Sequence, residues 1–199
     1  MLALGPLAGA PVAVLCAPAP SMLAQIQRHT RNDVLFTLSS SMDQAVQQGL
    51  VRPETRVDGF SNRLVFAALA GRFPAAFKWP GRVTVAVTDN TVVSGLDGLG
   101  ILAANGRSPS RLVGAASTAD VAFLVTTGAA DIGLIYATDA AADSRLTVLS
   151  YPTAAPTVTS LSAAINAAAV SPNAQAFLSV VRSAAGAAAL RNAGLEMAA

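Results

Sequence analysis

Five residues with hydroxyl groups, Ser21, Ser94, Ser117, Thr118 and Tyr136, sit where short apolar runs give way to helical patterns. Their chemistry is that of neutral hydrogen-bond donors. A helix N-terminus adds unpaired N–H groups and a partial positive charge, so such a junction can hold an anion without any cation. In open α/β sheets, ligands also collect at the carboxyl ends of the strands. Each hydroxyl taken singly reads as an ordinary helix cap. Their recurrence at successive junctions is what suggests a binding site. The stretch DIGLIYATDA (131–140) poses the question most sharply, because a buried run ends in Tyr136 with no catalytic set beside it.

Other chemistries fail on inspection. Cys16 is the only cysteine and His29 the only histidine, too few for a zinc site, a redox pair or a disulfide. Cys16 lies in VAVLCA and is expected to be a buried apolar residue. His29 follows Arg28 at the polar end of a helical pattern and is expected to be solvated or capping. The nearest approach to a nucleophile elbow, VVSGL (92–96), lacks its first glycine. No phosphate-binding G-x-x-x-x-G-K-[ST] loop occurs, and GLDGLG (95–100) lacks the strand before it and the acidic residue after it that a dinucleotide site needs. We expect no enzyme, no metal centre and no cofactor.

The elements that must position the hydroxyls can be read from period and punctuation. Strands are expected at 12–17, 33–38, 63–69, 82–87, 131–137 and 145–151, each a short apolar run bounded by polar or turn residues. The runs are nearly continuous, which suits a mostly parallel sheet buried on both faces. Helices are expected at 21–29, opening on Ser21, at 40–49, closing on Gly49, and at 95–106. The clearest is 117–128, capped by Ser117 or Thr118, with Asp120 in its first turn and Gly128 at its end. Ser171 and Pro172 open a further helix at 171–184, followed by 185–195, and the alanine-rich part from 162 to 189 reads as helical. Alternation of strand and helix implies an α/β fold.

With 199 residues, 53% hydrophobic and 12% charged, the chain can bury a substantial core. A net charge of +2, with arginines scattered rather than clustered, argues against nucleic acid as a partner. The opening MLALGPLAGAPVAVLCAPAPS is apolar but has no basic n-region and is broken by Gly and Pro. PVAVLCA is expected to be the first strand rather than part of a secretory signal.

The order of segments resembles the periplasmic molybdate-binding proteins, the solute receptors of molybdate ABC transporters. The resemblance rests on NDVLFTLSSSMDQAVQQGLVRPETRVDGFSNRLVFAA (32–68), on TVVSG (91–95), and above all on STADVAFLVTTGAADIGLIYATDA (117–140). NAQAFLSVVRSAAGAAALRNAGL (173–195) resembles the closing helices of that family. It implies a type II periplasmic-binding-protein fold, two α/β lobes with a ligand cleft, here about 1–67 plus 151–199 and about 68–150. The implied ligand is molybdate or tungstate, held by neutral donors. The family's tyrosine maps onto Tyr136, its helix-start backbone donor onto Thr118 beside Ser117, its turn donor onto Ser94, and a lobe-one serine onto Ala19 or Ser21. A membrane permease as partner, a monomeric state and the periplasm are implied likewise. Here VAVLCAPAP runs straight into SMLAQI, so the family's first long helix and second strand have no counterpart, nor does one of its two anion-gripping serines. Competing readings are a degenerate relative that takes another small ligand or a protein partner, and the effector domain of a regulator. The chain shows no helix-turn-helix that would favour the latter.

Overall fold

The structure, a computed structural model, describes Leu4, Gly9 and residues 11–17, 19–28, 32–74, 77–79, 81–88, 98–154 and 157–197. Its elements are α1 (Ala19–Gln27), β1 (Val34–Leu38), α2 (Ser39–Gln47), β2 (Val57–Leu69), β3 (Thr84–Thr88), α3 (Gly98–Ala104), β4 (Arg111–Ala115) and α4 (Thr118–Thr126). There follow β5 (Ile132–Tyr136), α5 (Ala137–Ala142), β6 (Leu146–Ser150), β7 (Val158–Ile165), α6 (Asn173–Arg182), α7 (Ala184–Asn192) and β8 (Glu196–Met197). The fold is mixed α/β. It divides into two units, Met1–Ser61 with Thr159–Ala199, and Asn62–Val158.

In the first unit β1 pairs antiparallel with β7, from Val34 opposite Ile165 to Leu38 opposite Leu161. β7 neighbours β2, whose Phe60 and Ser61 pair antiparallel with β8. The period of two is visible in the packing. Ala163 and Ile165 lie in a cluster with Phe60, Phe177, Leu178 and Leu190, whereas Ala164 joins Leu23, Ile26, Leu35 and Met42 on the other face. β7 is therefore covered on both sides, which explains its lack of polar alternation.

In the second unit the strand order is β6-β2-β5-β3-β4. β3 runs parallel to both β4 and β5, while β2 runs antiparallel to β5 and to β6. The connections β3-α3-β4 and β4-α4-β5 are the crossovers that parallel neighbours require. Val65, Ala86 and Ile135 pack with Val121 and Val125 of α4, and Leu64, Phe66, Val85, Ile132 and Leu134 pack with Ile101 and Leu102 of α3.

Several expectations are corrected. VAVLCA (12–17) is irregular, with Leu15 56% exposed and Cys16 exposed, because no neighbouring strand pairs with it among the described residues. The sheet is mixed rather than mostly parallel, since the long strand β2 runs against its partners. α1 starts at Ala19, so Ser21 is its third residue and not its cap. Pro172, not Ser171, holds the N-cap position of α6, although Ser171 Oγ still accepts a bond from the Asn173 N–H at 3.2 Å. Residues 162–165 belong to β7, so the alanine-rich part is not helical throughout. The strands β4, β7 and β8 and the short helix α5 were not anticipated. His29 and the GLD of GLDGLG lie outside the described residues.

Candidate functional site

The second unit builds its candidate site at the carboxyl ends of parallel strands. β4 ends at Ala115 and hands the chain to α4, and β5 ends at Tyr136 and hands it to α5. Both junctions fall at the same end of the sheet because β3 runs parallel to both strands.

α4 begins where the sequence says it should. Ser117 is extended (φ −151°, ψ 164°) and its Oγ accepts from the Asp120 N–H at 3.1 Å while donating to Asp120 Oδ2 at 2.7 Å. This reciprocal cap occupies the Ser117 hydroxyl fully. The Val121 N–H reaches the Ser117 carbonyl at 3.0 Å and starts the helical ladder. The N–H groups of Thr118 and Ala119 have no acceptor within the helix and lie at its positive end.

Close approach of α4 to the sheet depends on one glycine. A Cβ at Gly133 would stand 2.8 Å from Val121 Cγ1 and 2.9 Å from Val125 Cγ2, nearer than real Cβ contacts come. Both valines are fully buried. Gly133 thus lets α4 settle onto β5.

Tyr136 is half-buried, and its ring packs with Leu64, Phe66 and Leu134 on the face of the sheet opposite α4. Its main chain is held within its own junction: the Tyr136 N–H donates to Asp139 Oδ2 at 3.2 Å. Asp139 therefore ties the first turn of α5 to the end of β5. Burial pushes its carboxyl above the usual carboxylate range, against the pull of the Tyr136 N–H. Next to it Asn62 Nδ2 donates to Thr138 Oγ1 at 2.9 Å.

Asp131, at the opposite end of β5, is a brace. Its Oδ2 accepts from the Thr84 N–H at 2.9 Å, its own N–H donates to the Thr84 carbonyl at 2.9 Å, and Arg72 pairs with Oδ1. The Thr84 bond, aided by Arg72 and opposed by burial, holds this carboxyl below its usual range.

The structure thus brings Ser117, Thr118 and the main chain of Tyr136 to one end of the second unit. Ser21 belongs to the first unit and is exposed, with no hydrogen bond of its side chain among those described. Ser94 lies outside the described residues. Sequence reasoning passed over Asp139, although the quoted Y-x-T-D-A segment contains it; an acid three residues after an N-cap position was the signal. It also passed over a polar chain in the first unit, where Ser39 Oγ and Ser162 Oγ stand 2.7 Å apart and Ser162 donates to Asp58 at 2.5 Å.

A family model described as bacterial extracellular solute-binding protein matches residues 8–196. The chain belongs to that family. Among solved structures, it is similar to the periplasmic molybdate-binding protein of Azotobacter vinelandii, at 21% identity over 96% of this chain and 89% of that one, TM-score 0.73. It is similar also to the substrate-binding domain assigned to a molybdenum ABC transporter of Clostridium difficile, at 18% identity over 94% and 86%, TM-score 0.71. Iron-bound HitA from Pseudomonas aeruginosa shares the fold at 18% identity over 95% and 79%, TM-score 0.58. At such identities the likeness carries the fold, α/β in the manner of periplasmic binding proteins. No curated protein matches the chain. Among the described residues no helix is long and apolar enough to cross a membrane.

Proposed function

We propose that this solute-binding protein takes a tetrahedral oxyanion, molybdate or tungstate, and delivers it as a monomer to the membrane permease of an ABC transporter on the outer side of the membrane. The observation that carries this reading is the α4 N-terminus. It offers the N–H groups of Thr118 and Ala119, which have no acceptor within the helix, at the carboxyl ends of parallel strands. Main-chain N–H groups at a helix N-terminus suit an anion that is fully deprotonated and needs no counter-charge. The names of two structural neighbours, both concerned with molybdate or molybdenum, support the same ligand class. Tyr136 adds a phenolic donor at the end of β5, and Ser94 and Ser21 are the further donors that the family resemblance implies.

A second reading has its own observation. The hydroxyl of Ser117 is engaged with Asp120, which leaves mainly main-chain donors at the start of α4. Such donors would serve the carboxylate or phosphate group of another small ligand equally well. Isothermal titration of the anion-stripped protein separates the two. Tight one-to-one binding of molybdate and tungstate, with no heat from sulfate or phosphate, is the expected result; heat from none of the four overturns the oxyanion reading.

A further inference from the structure

One buried polar atom of the second unit is left without a partner at the carboxyl end of β5. Asn62 on β2 is 9% exposed, and its Nδ2 donates to Thr138 Oγ1 at 2.9 Å. Its Oδ1 is buried and has no hydrogen bond. An unpaired amide oxygen is costly to bury, so it calls for an explanation. The place of Asn62 follows from the strand register. Leu64 stands opposite Tyr136, so two residues further on Asn62 comes level with Thr138, just past the last residue of β5. The strand's period of two puts Asn62 on the face that carries Leu64 and Phe66, where the Tyr136 ring packs. Asn62 and Tyr136 are thus diagonal neighbours across an antiparallel pair, a separation that an aromatic side chain spans. Amide and phenol share one corner of the sheet, at the end where α4 begins.

We propose that Asn62 is a further ligand-contacting residue, which donates to the bound oxyanion from its side-chain amide. This rests on the anion reading above. A half-turn of the amide exchanges its two ends in place. The Thr138 hydroxyl, which donates as readily as it accepts, then gives its hydrogen bond to Oδ1. Nδ2 takes the position in which Oδ1 has no partner, and from there its N–H donates to an oxygen of the anion. No covalent bond changes and no proton changes owner. Neither end of the amide is then unpaired. Asn62 adds a neutral side-chain donor, on the α3 face of the sheet, to the main-chain donors that open α4 on the other face. Such a donor suits an anion whose oxygens carry no proton.

The test is isothermal titration of the intact protein and two variants with molybdate, each checked by its thermal melt. Asn62→Leu keeps the size of the side chain and removes its donor. Its affinity is expected to fall about tenfold or more, the loss of one hydrogen bond to a charged group. Thr138→Val breaks the Asn62–Thr138 bond from the other side but leaves the donor in place, so its loss is expected to be several times smaller. Unchanged affinity in a folded Asn62→Leu overturns the proposal while leaving the anion reading in place. So do equal losses in the two variants, which would make Asn62 only a tie between β2 and α5. If Asn62→Leu does not fold, NMR of the Asn62 side-chain amide in the intact protein decides instead. One of its two N–H signals is expected to move downfield as molybdate saturates the protein, and unmoved signals overturn the proposal. Absence of heat for molybdate in the intact protein overturns the anion reading, and the assignment of Asn62 with it.

Discussion

At Tyr136 one residue carries two separable jobs. Its N–H is committed to Asp139, and its ring closes the end of an apolar cluster with Leu64 and Leu134. In our reading the hydroxyl is the group that contributes to ligand binding. Tyr136→Phe keeps the ring and the main chain, so stability should hold while molybdate affinity falls by about 1–2 kcal/mol, the worth of one hydrogen bond to a charged group. Calorimetry that shows equal affinity would return Tyr136 to the core. Asp131 behaves oppositely. Asp131→Asn should leave affinity unchanged and lower the melting temperature by an amount equivalent to about 1–2 kcal/mol, because the Arg72 pair is lost at the seam between β3 and β5. Its carboxyl is held below the ordinary value, so its contribution is fully present above the unfolded-state pKa near about 4 and is lost as pH falls through the lowered one. Thermal melts of the variant should therefore show less acid sensitivity than the parent in that range. These residues differ in legibility. Asp131 as a brace and Tyr136 at a strand end could be read from DIGLIYATDA alone. The burial of Asp139 could not, because it depends on how two crossovers of the sheet come level.

Among the elements, α4 is the one whose placement matters most to the site, and two features hold it. Ser117→Ala removes the cap and should cost about 1 kcal/mol, seen as a shift in denaturant midpoint. Gly133→Ala forces a methyl against Val121 and Val125 and should cost about 1–3 kcal/mol. It should also weaken molybdate binding, since the helix must lift from β5 and carry its N–H groups with it. A variant with lowered stability and unaltered affinity would uncouple the seat of α4 from the site. The helix was legible because cap, first-turn acid and closing glycine all stand in STADVAFLVTTG. β4 was not, since Arg111 and Gly114 break an edge strand whose outer residues are exposed. β7 was hidden for the opposite reason. Ala163 and Ala164 are fully buried between two layers, and a strand covered on both faces by helices has no alternation to betray it. VAVLCA shows the converse error: an apolar composition suited to a strand forms none where no partner strand lies beside it among the described residues.

For the whole molecule, family membership and binding predict a linked stability. Molybdate at a hundredfold excess over its dissociation constant should add about 2.7 kcal/mol, and the melting temperature should climb with anion concentration. No rise with molybdate or tungstate would contradict the proposed ligand. The division of the chain has a consequence of another kind. The unit Asn62–Val158 is one uninterrupted stretch, whereas its companion joins Met1–Ser61 to Thr159–Ala199. On a ribosome, where chains emerge from the N-terminus and domains tend to fold as units, the part that begins first must finish last. β1 waits for its partner β7 until the whole of the inserted unit has been made. During that interval β1 has an unpaired edge, and the apolar faces of α1 and α2 lack the Ala164 that they later share. The nascent chain therefore carries an unpaired strand edge through the middle of its own synthesis, and the inserted unit is complete before its companion.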